Sequence, residues 1–352
     1  MPADAELARD LLRAVQAQDF GATADAERGG AALAHFPSID LALALFAPGA
    51  APRFANVLFS REHPGGIAAP LADDAGALVG LRYDADLQDA QGESIAWRPD
   101  ADWSRLPFER LYGDGPLRVV APYPASVLKL MVAFGIALAR DRGLIAAWPH
   151  ALAPMLTVSD NDATTELVRQ LHRLGMIDPL HAEFGRCGLP TLRLRGTTAA
   201  GGWGNADGAG VGRIQMTAWD TLRLLWLIDG QTPQPPWLPP GSKPLRPESA
   251  AHLVELLRRQ QLDGVLSSGS LRDLPGWVEG LPDAPAYAHK TGNTLNYAAD
   301  AGIVQRGGGG GRYAIVVVFT NLGTRHAPQP RCASTWRLPA LGGAIRSLID
   351  AA

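Results

Sequence analysis

Three short stretches of this chain carry residue types that could do chemistry together. They are Y-P-A-S-V-L-K-L-M-V at residues 123–132, T-V-S-D-N-D at 157–162 and H-K-T-G-N at 289–293. In the first, Ser126 and Lys129 are three apart, which on a helix puts both side chains on one face. A serine hydroxyl is a poor nucleophile until a base takes its proton. Lysine serves as that base only when its pKa falls, and burial or a second nearby cation lowers it. Lys129 stands inside an almost wholly apolar run, so burial is expected. Alone, Ser-x-x-Lys arises easily by chance. It equally describes a helix that starts after Pro124 and lets its lysine snorkel outward.

In the second stretch, Ser159 is placed to relay a proton to a leaving group. Asn161 would offer its amide to a substrate carbonyl and to Lys129. The plainer alternative is a polar turn or kink, because Ser, Asp and Asn are poor helix-interior residues. In the third, Lys290 and Thr291 supply a cation and a hydroxyl that suit a substrate carboxylate. Gly292 permits a ligand to approach the strand edge. The backbone N–H of Asn293 would complete an oxyanion hole with that of Ser126. Here the alternative is an edge-strand lysine that guards against aggregation. The three stretches in this order, each on a fitting element, point together to a catalytic site.

The elements that must position them read as follows. Helices are expected over 5–17 and 39–47, and a strand or buried turn at 54–60. A Pro/Gly/Ala-rich linker covers 62–76. Two strands at 77–84 and 93–99 are joined by the D-A-Q-G turn. A helix buried on nearly every side runs from Ser126 to Arg142. Another spans 151–174, and further helices cover 216–229, with Thr217 as N-cap, and 249–261. Residues 196–212 are Gly-rich loop text. The tail changes period to three strands, 286–292, 300–306 and 312–321, the last two joined by a five-glycine turn, and closes with a helix at about 335–350. This order predicts an α+β fold: one antiparallel sheet built from both chain ends and flanked by helices, plus an all-helical subdomain at about 126–262. Residues 1–75 read as an N-terminal helical extension and linker, and 76–352 as the domain proper.

From about residue 77 to 350 the chain resembles the class A β-lactamase and penicillin-binding-protein (D,D-peptidase) family of active-site serine enzymes, on Ser-x-x-Lys, Ser-Asp-Asn and Lys-Thr-Gly. The resemblance implies a serine hydrolase that forms an acyl-enzyme on Ser126 from an amide or ester carbonyl. It matches Lys129 to the motif's lysine, Ser159 and Asn161 to the second element, and Lys290, Thr291 and Gly292 to the third. Two departures stand out. About thirty residues separate Ser126 from Ser159, where the family usually has roughly twice that, so a more open cleft is expected. No Glu-x-x-Leu-Asn loop follows to supply a glutamate for the deacylating water; Glu166, Glu183 and Asp207 are the available carboxylates. The alternatives are therefore a D,D-carboxypeptidase- or esterase-like enzyme, or a penicillin-binding sensor that stays acylated.

Composition sets the remaining bounds. The 352 residues are 47% hydrophobic and 19% charged, with a formal net charge of -3. This is the composition of a globular protein and makes no electrostatic case for nucleic acid or an anionic membrane. No apolar run approaches the ~20 residues of a membrane span. The acidic amphipathic start is not a secretory signal, so the expected compartment is the cytoplasm, or an exported one if a leader was removed. Cys187 and Cys332 lie far apart; they read as two free thiols, with pairing in an oxidising compartment as the alternative. The histidines are scattered, so no metal and no cofactor are expected. The expected partner is a small-molecule or peptide substrate bearing a carboxylate.

Overall fold

The computed structural model describes residues 4–72, 76–87, 89, 94–98, 100–203, 213–305, 313–329 and 332–352. The front of the chain contributes β1 (Ile39–Phe46), β2 (Arg53–Phe59) and β3 (Ile67–Ala68) to the main sheet. A small separate sheet holds β4 (Leu81–Ala85), β5 (Glu109–Tyr112) and β6 (Leu117–Ala121), with β4 between the other two. The main sheet is completed by β7 (Tyr287–Asn293), β8 (Ala298–Gln305) and β9 (Tyr313–Thr320). Its order is β7-β8-β9-β1-β2-β3 and every neighbouring pair is antiparallel. A sheet drawn from both chain ends is the architecture expected from the order of elements.

The helices are α1 (Ala5–Gln16), α2 (Lys129–Asp141), α3 (Leu152–Thr157), α4 (Asn161–Arg173), α5 (Ile177–Arg186), α6 (Ala218–Ile228), α7 (Pro247–Leu257) and α8 (Arg337–Ala351). Terminal helices α1 and α8 cover one face of the sheet. Leu7, Leu11 and Val15 of α1 pack there with Leu338, Leu341 and Ile345 of α8 against Leu41, Leu43, Val316 and Val318. Burying each such side chain contributes about 1.5–3 kcal/mol. The opposite face presents Ala42, Ala44, Ile315, Val317 and Phe319 to α6 and the helical layer. There Trp226 meets Phe46 edge-on at 4.6 Å and Trp219 lies 5.5 Å from Phe54.

This two-sided cover explains the largest departures from the expected fold. Residues 39–47 form a strand rather than a helix. With both faces buried, IDLALALF shows no polar alternation, and its Ala/Leu content mimics a helix. The expected boundary near residue 75 does not set a helical extension apart from the sheet, because β1 and β2 lie inside it. Asp40 ties β1 to the helical side: it accepts from Asn56 Nδ2 at 2.9 Å and from the Ala218 N–H that opens α6 at 3.0 Å. Burial raises its pKa to about 6.

Residues 94–98 form no strand. Their polar groups turn inward to Asp86, which accepts from Ser94 Oγ at 2.7 Å, Trp97 Nε1 at 2.9 Å and Tyr297 OH at 2.7 Å. Those side-chain bonds replace a ladder. Most of the D-A-Q-G turn (90–92), the five-glycine turn (within 306–312) and the Gly-rich stretch 204–212 with Asp207 lie outside the described residues. Among the described residues no helix is long and apolar enough to cross a membrane, and no cluster of three His, Cys, Asp or Glu could hold a metal.

Candidate active site

The small sheet delivers the first motif. Beyond β6 the chain turns sharply at Ala125, whose φ of 48° is left-handed. For a residue with a Cβ this costs about 1 kcal/mol. The buried packing of Ala125 holds it there. A 3₁₀ turn, Ala125–Leu128, carries Ser126, and Val127 N donates to Pro124 O at 3.1 Å. The α-helix proper begins at Lys129, three residues later than expected.

The second motif breaks a helix. Instead of one helix over 151–174 there are two, α3 and α4. Ser159 between them is left-handed at φ 58°. Asp160 then caps α4 by accepting from Ala163 N at 2.7 Å, which is the role that Asp favours at a helix start. The break turns the Ser159 carbonyl and hydroxyl and the Asn161 amide toward α2.

Lys129 fills the space they leave. Its Nζ donates to Ser159 O at 2.6 Å, to Ser159 Oγ at 3.0 Å and to Asn161 Oδ1 at 2.8 Å. The Trp203 ring covers it at 5.4 Å, held by Trp203 Nε1 donating to Thr165 Oγ1 at 3.1 Å. Lys129 is 0% exposed. Burial brings its pKa down to about 8, against the opposing pull of Asp160.

Lys290 arrives from the sheet. Its Nζ donates to the same Ser159 Oγ at 3.0 Å and to Thr291 O at 2.7 Å. It is also 0% exposed. Burial, and then the Lys129 charge, hold it well below the usual lysine range. Two lysine amines therefore donate to one hydroxyl oxygen, which leaves the Ser159 O–H itself as a donor.

Strand β7, the edge of the sheet, runs hard against the Ser126 turn. A Cβ on Gly292 would lie 2.8 Å from Pro124 O, 2.9 Å from Ser126 N and 3.0 Å from Val127 N. The close approach that glycine permits here includes one to the backbone of Ser126 itself.

Two residues that position this strand gave no chemical signal in the sequence. His289, on the opposite strand face from Lys290, lies between Asp300 Oδ1 at 2.8 Å and Asp263 Oδ1 at 3.0 Å. Burial pulls it down, but the Asp300 and Asp263 carboxylates outweigh that and hold it up at about 9. Gln260 clips the helical layer to the strand. Its Nε2 donates to Leu156 O at 3.2 Å and His289 O at 3.3 Å, and its Oε1 accepts from Gln261 N and Leu262 N. Gln260→Ala is expected to orphan these buried groups and lower the unfolding free energy by about 2–3 kcal/mol. Urea denaturation checks this; a midpoint equal to wild type would show that the clip is dispensable.

The cleft holds about 560 Å³ and is lined by Ser126, Ser159, Asn161, Thr291 and Asn293 on its polar part. The structure thus brings Ser126, Lys129, Ser159, Asn161, Lys290, Thr291, Gly292 and Asn293 together. No Asp or Glu is among the described residues that line the cleft. Glu183 lies near the far end of α2, bonded to Arg186 and Arg142. Glu166 is exposed on α4, and Asp207 is outside the described residues.

A sequence model of the beta-lactamase enzyme family matches residues 134–334, more than half of the chain. The match begins after Ser126 and Lys129. No curated protein matches the chain. Among solved structures, that of PBP-A is 17% identical, covers 100% of this chain and 99% of its own, and superposes with a TM-score of 0.50. A beta-lactamase from Sphaerobacter thermophilus DSM 20745 is 14% identical, with 98% of each chain covered and a TM-score of 0.49. At such identities the likeness to PBP-A is one of fold.

Proposed function

Because the chain belongs to the beta-lactamase enzyme family, we propose that it is a serine hydrolase forming an acyl-enzyme on Ser126 from an amide or ester carbonyl, in a β-lactam or a related substrate. The observation that carries this reading is the convergence of two buried lysines on the Ser159 hydroxyl at the cleft that Ser126 lines.

Neutral Lys129 takes the Ser126 proton as Ser126 Oγ bonds to the carbonyl carbon. The backbone N–H groups of Ser126 and Asn293 donate to the developing oxyanion. Asn161 Nδ2 orients the substrate, its Oδ1 being held by Lys129. As the bond to the leaving group breaks, Ser159 gives that group its O–H proton. Ser159 is reprotonated by Lys129 across the 3.0 Å bond. The proton has then passed from Ser126 to the leaving group, and Lys129 is neutral again. In deacylation water adds to the acyl carbon, and Lys129 is the available base.

One observation favours a second reading, a penicillin-binding sensor that stays acylated: none of the described cleft residues is a carboxylate that could activate water. Incubation with a chromogenic β-lactam and with p-nitrophenyl esters, followed by intact mass, separates the two. Turnover without a lasting adduct supports the hydrolase, whether β-lactamase, D,D-carboxypeptidase or esterase. A stable adduct on Ser126 supports the sensor. Neither adduct nor turnover, with Ser126→Ala changing nothing, sinks both.

A substrate carboxylate at the Thr291 hydroxyl is neutralised from behind by Lys290, whose proton it draws back. Lys290→Ala is therefore expected to lower kcat/KM about tenfold more on carboxylate-bearing substrates than on neutral esters, a difference of one good charge-assisted bond. Equal losses on both classes would confine Lys290 to holding Ser159.

A further inference from the structure

Two of the large apolar side chains that the protein leaves in solvent stand at the cleft. Val158 and Leu262 are each 41% exposed, and both line the cavity that holds Ser126. The backbone brings them together: Gln261 N donates to Thr157 O at 3.0 Å, so residue 262 follows directly beside residue 158. The surface continues inward through Gly264, Leu271 and Ala333. A Cβ on Gly264 would touch Ala333 Cβ at 3.4 Å and Leu271 Cδ1 at 3.7 Å, so these residues form one wall. The wall's one hydroxyl, Ser270 Oγ, is turned onto Asp263 O at 2.6 Å. Grouped exposed apolar residues at a concave site mark a binding surface rather than scattered exposure.

Val158 adjoins Ser159, whose free O–H faces the leaving group in the acyl-transfer reading. The apolar wall therefore stands on the leaving-group side of the scissile bond. We propose that Val158, Leu262, Leu271 and Ala333 form a subsite for an apolar group, alkyl or aromatic, on the leaving portion of the substrate, beside the carboxylate that Thr291 receives. This inference rests on the proposed roles of Ser126 and Ser159.

The test uses benzoyl thioesters of mercaptoacetate, 2-mercaptobutanoate and 2-mercaptohexanoate. They share the acyl group and the carboxylate and differ only in the alkyl chain of the leaving thiol, which is read by thiol release. kcat/KM is expected to rise about tenfold or more across the series, since each buried methylene is worth up to about fourfold. Val158→Ser with Leu262→Ser should flatten the series while the mercaptoacetate ester keeps its rate within about threefold. A flat wild-type series, or a rise that survives the double substitution, overturns the subsite.

A second readout needs no turnover. In Ser126→Ala, the methyl resonances of Val158, Leu262 and Leu271 should shift with 2-mercaptohexanoate and not with mercaptoacetate; no shift at these methyls overturns the subsite. Absence of turnover of every thioester, with Ser126 unmodified, counts against the acyl-transfer reading, while the methyl titration still decides the subsite.

Discussion

Lys129→Ala is expected to slow acylation of Ser126 by about 10³–10⁴-fold, the upper range for loss of a general base. Lys129 is the buried amine that opens α2 directly after the Ser126 turn and reaches Ser159 and Asn161 at once. Lys129→Arg should fail nearly as badly, because guanidinium keeps a charge but does not release its proton. A structural role alone would not produce the accompanying pH signature. In wild type the acylation rate should rise as Lys129 loses its proton, with a midpoint near its pKa of about 8. Removing Lys129 also takes the lysine donor from Ser159 O and Asn161 Oδ1, while Ser159 Oγ keeps Lys290, so rates are compared below the unfolding temperature of each variant, set by circular dichroism. Stopped-flow release of p-nitrophenol with intact mass supplies the rates. An acylation rate for Lys129→Ala within about tenfold of wild type, or a wild-type acylation rate that shows no rise through a midpoint near pH 8, would remove Lys129 from the role of base.

The site was legible in the sequence where its chemistry is local. Ser-x-x-Lys lies within one helical turn, and Ser-Asp-Asn places a left-handed turn, an N-cap and the first helical residue in three consecutive positions. Each of those residue types is poor inside a helix and good at a break. The expectation of one continuous helix failed because apolar spacing carries across α3 and α4 alike, while the Ser159 backbone reverses direction between them. The front of the sheet was illegible for a different reason. β1 is covered on both faces, so the alternation that marks a strand is absent from IDLALALF, and only pairing with β9 and β2 decides its form. Gln260, His289 and Trp203 were missed because their effect depends on partners far away in sequence. His289 was quoted beside Lys290, yet nothing nearby announces Asp263 and Asp300 as its two anchors. Trp203 sits in Gly-rich text that gives no hint of a lysine beneath its ring.

Gly292→Ala tests whether the site depends on the contact between β7 and the Ser126 turn. The backbone of Gly292 does not need glycine's conformational freedom, so the cost of a side chain there is one of space. Three backbone atoms stand within 3.0 Å of the added carbon, and two of them, Ser126 N and Val127 N, belong to the turn that carries the nucleophile. Backbone cannot swing aside as a flexible side chain does. The strand and the turn must therefore separate by some tenths of an ångström, and the N–H groups of Ser126 and Asn293 would no longer converge on one oxyanion. Displacements of this order cost about 100-fold in rate, and the overpacking costs about 1–3 kcal/mol in stability. Gly292→Ala is thus expected to lower kcat by about 100-fold on β-lactam and ester alike, with KM changed far less, because the damage falls on the transition state. Gly185→Ala is the control, since nothing lies within 4 Å of its added carbon and α5 is remote from the cleft. Steady-state kinetics and urea unfolding on both variants decide the matter. If Gly292→Ala keeps kcat within about threefold of wild type, the strand does not set the geometry of the nucleophile, and the oxyanion hole assigned to Ser126 and Asn293 is wrong.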